Sequence, residues 1–404
     1  MNKTLAFYYL WYGAPIWTGA NALPGGDKSG WSHWDHHILP HWNPSTAALY
    51  PGEETRWIPP HDIHAPFYPA RGPYSSLNPA VLRSQFAEMR AAGIGIAVAS
   101  WWGREGVSKG DSQGVLTDDA LGVALDAALS VAQDVGAHGG GTSGVTTVAV
   151  HLEPYAGRTA ASTRADIAYI FEKFGHHPAL FRDPKTGRPL FFIYDSYHIA
   201  SSDWASELSS LRSTPHDAIF FGLWLAQGDA SELASGGFDG AYTYFASDSV
   251  GYGSNAANWA AMSREAAARG LAFSPSVSPG YDDSKIRPWN RVSTRRRRLG
   301  ESYKSLWETA LTVLPACVTI TSFNEWGEGT QIESAVPRMI DVDALALSGE
   351  VLPRHVRASL QLLNPFDVYD DYLPGGPSFY LDLTAEFSLR LGATAGLGEH
   401  YDSL

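Results

Sequence analysis

Short apolar segments rich in β-branched and aromatic residues alternate along the chain with segments of helical periodicity. Eight apolar segments have the length of strands, and they begin at Leu5, Ile94, Thr146, Leu190, Ala218, Gly240, Leu271 and Ala316. Apolar residues spaced three and four apart predict helices in "PAVLRSQFAEMRAAG", "DDALGVALDAALSVAQDVG", "RADIAYIFEKFG" and "NWAAMSREAAARG". This alternation is typical of βα units around a parallel sheet.

Eight βα units in one chain favour an α/β fold of the (β/α)8 TIM-barrel type over an open doubly wound sheet. We expect residues 1–404 to form a single domain with long loops at the C-terminal face of the strands. The motif-bearing part runs from about residue 5 to 340, and the remainder is expected to pack on the barrel as a C-terminal extension. An Ala/Gly-rich insertion around 122 to 144 is expected at the surface.

The charge and the hydropathy pattern exclude several classes of partner. The chain carries 42 acidic and 29 basic residues, and the net charge of −13 disfavours nucleic acid or an anionic membrane. The basic run "TRRRR", which ends at Arg298, is predicted to form a solvated helix face. No apolar stretch of about 20 residues predicts a membrane span. The N-terminal segment is interpreted as the first strand, with no evident signal peptide. Compartment and oligomeric state stay open.

Aromatic residues are abundant and stand beside polar residues at the predicted strand ends. The chain has 14 Trp, 19 Tyr and 17 Phe, which together make up 12% of its residues. A sugar ring has apolar C–H faces and a fringe of hydroxyl groups, so aromatic platforms flanked by carboxylates and amides suit both surfaces. The pattern therefore indicates a carbohydrate site.

Carboxylates follow several predicted strands, namely Glu153, Asp195, Glu325 and Glu328. In a TIM barrel, residues at the C-terminal ends of the strands converge on one site. Carboxylates placed there are desolvated enough to shift their pKa values, which suits acid/base catalysis on a glycosidic bond. Helix capping or pairing with Arg is the alternative for each carboxylate taken alone. Glu333, further along the same cluster, is expected to be structural.

A set of segments, in this order along the chain, resembles one enzyme family: "FYYLWYG", "HWDHHILPHW", "PYSSLNPAVLRSQFAEMRAAGIGIAVASWW", "HLEPY", "YDSYH", "FDGAYTYF", "PGYDDSKIRPWN" and "TSFNEWGEGTQIE". Together they resemble glycoside hydrolase family 99, the endo-α-1,2-mannosidases and endo-α-1,2-mannanases. The resemblance implies a barrel that cleaves an internal α-1,2-mannosidic linkage in mannan or high-mannose N-glycans with retention, without a metal or other cofactor. The implied partner is a mannose-containing glycan. The family suggests the secretory lumen, the periplasm or the extracellular space.

The resemblance also implies roles for individual carboxylates. Glu325 matches the base that deprotonates the sugar 2-hydroxyl, so that the substrate's own oxygen displaces the leaving group through a 1,2-anhydro sugar. Glu328 matches the general acid/base, and Glu153 matches a third carboxylate of the substrate site. Position 327 is Gly where many members are expected to have His, so a contact near the acid/base is expected to be missing or replaced by water.

Further residues at the predicted strand ends are expected to bind the sugar. Trp102 matches an outer donor subsite, where Trp resembles the bacterial mannan-processing members and favours Man-α-1,3-Man over Glc-α-1,3-Man as the released unit. A core tryptophan is the alternative. The full set of expected substrate-binding residues is Glu153, Tyr9, Trp11, Tyr12, Trp102, His151, Tyr155, Asp195, Tyr197, Tyr244, Arg287, Trp289, Asn324 and Trp326.

Two other classes of function compete with a glycosidase. A barrel that binds glycan without cleaving it, or one that serves polysaccharide assembly, shares the "NEW-x-EG" element, although the retained pair Glu325 and Glu328 disfavours a degenerate binder. A metal-dependent hydrolase would use the run of His33, His36, His37 and His41. Trp and Pro interrupt that run, which has no H-E-x-x-H spacing, so a loop that contacts substrate or packs on the barrel is favoured.

Overall fold

The computed structural model describes residues 3–15, 30–36, 38–39, 41, 43–50, 57–104, 116–137, 146–338 and 369–394. In this part of the chain the strands are β1 Thr4–Tyr9, β2 Ile96–Trp101, β3 Thr147–Leu152, β4 Leu190–Ile193, β5 Ile219–Leu223, β6 Gly240–Tyr242, β7 Ala272–Ser274, β8 Ser276–Val277 and β9 Val318–Ile320. The helices are α1 Pro44–Ala47, α2 Pro79–Ala91, α3 Thr117–Ala137, α4 Ala160–Phe174, α5 Ser201–Leu211, α6 Asp229–Ser235, α7 Trp259–Ala268, α8 Glu301–Thr312 and α9 Phe379–Thr394.

The strands form one parallel sheet in which β1 to β7 pair in chain order and β1 also pairs with β9. The seventh position of the barrel is divided at Pro275, since β7 pairs with β6 whereas β8 pairs with β9. Proline has no amide hydrogen for the ladder, but its carbonyl still accepts a hydrogen bond from the Thr319 amide at 3.1 Å. Nine strands thus fill eight positions, and the predicted (β/α)8 barrel is confirmed.

The predicted elements agree with the observed ones to different degrees. Each of the eight predicted strand segments contains an observed strand, and the four predicted helices correspond to α2, α3, α4 and α7. Helices α1, α5, α6 and α9 were not predicted, whereas the basic run that ends at Arg298 was predicted to open a helix, and α8 follows it from Glu301. Helix α5 is rich in serine and buries only Trp204, Leu208 and Leu211, so its apolar period is short.

The Ala/Gly-rich stretch is not a surface insertion where the structure describes it. Leu121, Ala124, Leu125 and Ala128 of α3 are fully buried. Small side chains allow the helix to pack closely on its neighbours, so this part of the prediction is wrong. Residues 138–145 lie outside the described residues.

The arginine run precedes α8 and does not form a solvated helix face as a whole. Arg297 lies over the rings of Phe67, Tyr372 and Tyr380, with its guanidinium carbon 4.2, 5.0 and 4.6 Å from their centroids. It also donates to the Gly329 carbonyl at 3.0 Å. A planar guanidinium stacks on aromatic faces, so the prediction is wrong for Arg297. Arg296 and Arg298 are exposed.

The last described helix, α9, packs on α2 and α8. The Phe387 ring stacks on Trp307 with centroids 5.4 Å apart and planes at 7°. The Tyr303 and Thr384 hydroxyls lie 2.8 Å apart in a hydrogen bond. None of the helices in the described ranges is long and apolar enough to span a membrane.

Candidate active site

A cavity of about 200 Å³ opens beside the C-terminal ends of β1, β2 and β9, which are neighbours in the sheet. Trp11 follows β1, Trp102 follows β2, and Glu325 and Glu328 follow β9. Its lining residues are Trp11, His33, His36, Leu39, His64, Trp102, Ile286, Arg287, Glu325 and Glu328. The fold therefore brings both predicted catalytic carboxylates together with two of the predicted aromatic residues and Arg287.

Glu325 is the deeper carboxylate and only 4% of its surface is exposed. Its backbone amide donates to the Ser322 hydroxyl at 2.7 Å, and its Oε1 accepts a hydrogen bond from the Glu328 amide at 3.3 Å. Burial, and next the negative charge of Glu328, raise the pKa of Glu325 well above its usual range. Glu325 therefore holds a proton more tightly than an ordinary glutamate does.

Glu328 lies closer to solvent, with 23% of its side chain exposed. Arg287 Nη1 donates to Glu328 Oε1 at 3.2 Å and to Asp283 Oδ2 at 3.0 Å. Burial raises the pKa of Glu328, while the positive charge of Arg287 opposes that rise. Asp283, which was not selected from the sequence, also accepts from Asn290 at 3.0 Å. The carboxylate of Asp283 thus orients the guanidinium that touches Glu328.

The pKa shifts of the two glutamates indicate which of them holds a proton to higher pH. Two neighbouring carboxylates titrate as a pair, and one proton shared between them survives to higher pH than it would on a single glutamate. In this arrangement the deeper burial of Glu325 and the Arg287 contact of Glu328 both favour a proton on Glu325.

Glu153 follows β3 and belongs to a second polar cluster. The Ser100 hydroxyl donates to Glu153 Oε1 at 2.8 Å, and His151 Nδ1 lies 2.8 Å from the same oxygen. The indole N–H of Trp102 donates to the Ser100 hydroxyl at 3.0 Å. His151 Nε2 shares a 2.8 Å hydrogen bond with the Tyr242 hydroxyl. Trp102 on the cavity wall is therefore linked to Glu153 through one serine.

Aromatic rings gather at the ends of β1 and β6; Trp11 lines the cavity, whereas Tyr9 and Tyr244 are buried and do not line it. Trp11 stacks on His33, with centroids 4.2 Å apart and planes at 7°, and on Trp102 at 5.6 Å. The Tyr9 and Tyr244 hydroxyls are hydrogen-bonded to each other. Burial raises the pKa of both phenols well above the usual range, so they stay neutral.

Three of the predicted substrate contacts are fully buried, and their polar atoms form hydrogen bonds inside the protein: Asn324, Trp326 and Tyr12. Asn324 Oδ1 accepts from the Tyr9 amide at 2.7 Å, and Asn324 Nδ2 donates to the Tyr9 carbonyl at 2.9 Å. The Tyr12 hydroxyl donates to the Asn324 carbonyl at 2.8 Å. The Trp326 indole donates to Glu333 at 3.0 Å. These bonds hold the segment after β9 against β1, next to the buried carboxylate of Glu333.

Of the expected substrate-binding residues, the ones that line this cavity are Trp11, Trp102 and Arg287, and the others lie outside its lining. The Tyr155 hydroxyl donates to Asp166 at 2.8 Å, on α4. The Tyr197 hydroxyl donates to Asp195 at 2.9 Å, beyond β4. Trp289 packs in the segment between β8 and α8, against aromatic side chains of the loop that follows β1.

The histidine run divides between the cavity and its surroundings. His33 and His36 line the cavity, His41 packs edge-on against Trp289 at 5.1 Å, and His37 lies outside the described residues. Over the ranges that the structure describes, no group of three or more His, Cys, Asp or Glu side chains is placed to hold a metal ion.

His64 also lines the cavity and was not predicted from the sequence. It lies in the long loop between β1 and β2, where no periodicity indicates which side chains face inward. Burial, and next the neighbouring His36 and His33, lower the pKa of His64 well below its usual range. His64 therefore adds a neutral imidazole to the carboxylate pair.

Comparison with known proteins assigns the chain to a family. The family model described as Glycosyl hydrolase family 99 matches residues 1–346. The chain belongs to glycosyl hydrolase family 99. It is a glycoside hydrolase, and the predicted resemblance and enzyme class are confirmed.

Similar proteins cover nearly the whole of this family 99 chain. It is 38% identical over 391 residues to the glycoprotein endo-α-1,2-mannosidase-like protein of Homo sapiens, over 95% of this chain and 74% of that one. It is 37% identical to the glycoprotein endo-α-1,2-mannosidase of Xenopus laevis, over 95% and 75%. The structure of the family 99 endo-α-mannosidase from Bacteroides thetaiotaomicron superposes with a TM-score of 0.76 at 32% identity, over 98% of this chain and 99% of that one.

Proposed function

We propose that this family 99 enzyme is a retaining endo-α-mannosidase that cleaves an internal α-1,2-mannosidic linkage in mannan or in a high-mannose N-glycan. The names of its relatives support the linkage. The observation that carries the proposal is that Glu325 and Glu328 line one cavity together with Trp11 and Trp102. Aromatic faces suit the C–H surface of a sugar, and the carboxylates reach its hydroxyl and glycosidic oxygens.

In the first proposed step, Glu325 takes the proton of the 2-hydroxyl of the mannose on the donor side. The O2 atom forms a bond to C1 while the bond from C1 to the glycosidic oxygen breaks. Glu328 donates a proton to that leaving oxygen. The products of this step are the shortened glycan and a 1,2-anhydro sugar.

In the second proposed step, Glu328, now ionised, takes a proton from water as the water oxygen attacks C1. The C1–O2 bond breaks and Glu325 returns its proton to O2. Two inversions at C1 give net retention, and both glutamates end in their starting protonation states. No enzyme nucleophile is needed, in contrast to the common retaining scheme.

Arg287 has to release Glu328 before this sequence can start. Its guanidinium favours an ionised Glu328, whereas the first step needs a protonated one. In the bound complex the glycosidic oxygen of the sugar replaces Arg287 as the partner of Glu328, and the sugar 2-hydroxyl donates a hydrogen bond to Glu325. The hydrogen bond favours an ionised Glu325, so the proton moves to Glu328. Substrate binding and proton placement are coupled in this proposal.

Trp102 is proposed to contact the unit on the donor side and to favour Man-α-1,3-Man over Glc-α-1,3-Man. Its indole N–H is fixed to Ser100 at 3.0 Å, and its ring stacks against Trp11. A held ring presents one constant face to the sugar. Glu153, linked to Trp102 through Ser100, is proposed to accept a sugar hydroxyl nearby.

The test is incubation with α-1,2-branched mannan and, separately, with a glucosylated high-mannose glycan, with the products weighed by mass spectrometry. We expect the wild type to release disaccharide or longer units, and Glu325→Gln and Glu328→Gln each to lower kcat by about 10²- to 10⁴-fold, since each removes a proton-transfer group. Glu301→Gln, an exposed substitution on α8, is the matched control and should keep wild-type activity.

The same variants separate the enzyme from a glycan-binding barrel. Binding of mannan without cleavage by the wild type would replace the proposed function with the non-catalytic alternative. Full activity in Glu325→Gln and Glu328→Gln would contradict the assignment of the pair. Preference for the glucosylated glycan would contradict the proposed role of Trp102.

A further inference from the structure

Gly327 lies between the two carboxylates in the chain, and His64 covers it. A Cβ at position 327 would stand 2.6 Å from His64 Nε2, 3.0 Å from His64 Cδ2 and 3.1 Å from Glu325 Oε1. Separations under 3.0 Å do not occur for real Cβ atoms, so no side chain fits at 327 while His64 keeps its place. The imidazole occupies the space that a side chain at 327 would use.

Burial and a backbone hydrogen bond place His64 at this point of the cavity wall. Only 2% of its surface is exposed, and its backbone amide donates to the Trp34 carbonyl at 3.1 Å. Its ring lies 5.8 Å from that of His36, centroid to centroid. The imidazole Nε2 and the Glu325 Oε1 thus lie 2.6 and 3.1 Å from the same point above the Gly327 backbone, on the wall of the cavity.

We propose that His64 is a positioning residue of the cleavage site, and that it supplies from the loop between α1 and α2 the imidazole that the family resemblance places at position 327. The sequence led us to expect a missing contact or a water there. The imidazole instead restricts the rotation of the Glu325 carboxylate where Gly327 has no side chain to do so. This inference rests on the proposed role of Glu325.

The test transfers the histidine from one position to the other. We expect His64→Ala to lower kcat on α-1,2-mannan by about 10- to 100-fold with KM changed less than about 3-fold, because a misplaced catalytic group slows the chemical step more than it weakens binding. Gly327→His alone should lower kcat similarly, because the two rings collide. The combination of His64→Gly with Gly327→His should recover kcat to within about 5-fold of the wild type.

His176→Ala, in the exposed turn after α4, is the control and should leave both constants unchanged. Wild-type kcat in His64→Ala, or a combined variant no better than the poorer single variant, overturns the proposal. A wild type inactive on both mannan and the high-mannose glycan overturns the proposed function instead. In that case the melting temperatures of the variants test the proposal for His64. If the combined variant regains the melting temperature that each single variant loses, the exchange of positions is supported. If the two losses add in the combined variant, the proposal is overturned.

Discussion

At the scale of single residues, Arg287 connects the carboxylate pair to the rest of the site. One nitrogen, Nη1, contacts both Asp283 and Glu328, so the Asp283 carboxylate orients the guanidinium toward Glu328. Its positive charge lowers the pKa of Glu328 and, through space, that of Glu325. The pH range of activity is therefore expected to depend on this side chain.

Replacing Arg287 by Gln should move the pH profile of kcat/KM toward higher pH by roughly 1 unit. Loss of the positive charge raises both pKa values of the carboxylate pair, so the acid limb and the alkaline limb of the profile both move to higher pH. The profile is measured between pH 4 and 9. Arg287→Lys keeps a positive charge and should keep the profile near that of the wild type. An unmoved profile, or one displaced to lower pH, would remove Arg287 from this role.

The sequence predicts some site residues better than others for a physical reason. Glu325 and Glu328 belong to one short segment after a strand, so their placement follows from local structure alone. Asp283, beside Arg287, and His64, on the cavity wall, are placed only by the path of long loops, which no periodicity specifies. The sequence does not show which side chain fills the space beside Gly327, because His64 is distant in the chain and reaches that space only in the folded structure.

At the scale of elements, the close contact between β5 and α6 depends on a glycine in the strand. A Cβ at Gly222 would overlap Leu233 of α6 and lie 3.0 Å from the Phe238 ring. Leu233 and Phe238 are both buried, so neither can move into solvent. The absence of a side chain at this position lets the helix approach the strand.

We expect Gly222→Ala to lower the free energy of unfolding by about 1–3 kcal/mol, because the added methyl group overpacks this interface. The change is measured as a shift of the urea midpoint. The matched control is Gly122→Ala in α3, where a Cβ would meet only Phe174 at 3.6 Å. That substitution should be neutral or stabilising, since alanine favours a helix. Equal effects of the two substitutions would show that packing at Gly222 is not the cause.

The elements themselves were predictable where their pattern is long and periodic. Buried parallel strands have continuous apolar runs, and α2, α3, α4 and α7 show regular apolar spacing. The division of the seventh strand at Pro275 was not predicted. It depends on the pairing of Ser276 and Val277 with β9, a contact between segments far apart in the chain.

At the scale of the whole molecule, the C-terminal segment bears on how many domains the chain has. The side chains of α9 pack against α8 through Phe387 on Trp307, and the segment before α9 contacts the buried core through Tyr372, which donates to the Glu333 carbonyl at 2.9 Å. We propose that residues 1–404 form one domain, with the C-terminal extension as part of its cooperative unit.

Phe387→Ala should therefore lower the free energy of unfolding of the whole protein by about 3–5 kcal/mol in one transition, because it removes a buried aromatic ring. Thermal unfolding followed by circular dichroism and by intrinsic fluorescence provides the measurement. Leu389→Ala, on the same helix with Leu389 77% exposed, is the control and should change little. A separate early transition, with the barrel unaffected, would indicate that α9 unfolds independently.

The placement of tryptophans gives the enzyme an internal optical reporter. Among the Trp residues that the structure describes, seven are fully buried in the core, away from a ligand in the cavity: Trp34, Trp101, Trp204, Trp224, Trp259, Trp307 and Trp326. Trp11 and Trp102 face the cavity, and a sugar that stacks on them displaces water from the indole rings. The emission spectrum should therefore follow occupancy of the site directly, so an unlabelled glycan can be titrated into a variant that binds it without cleaving it.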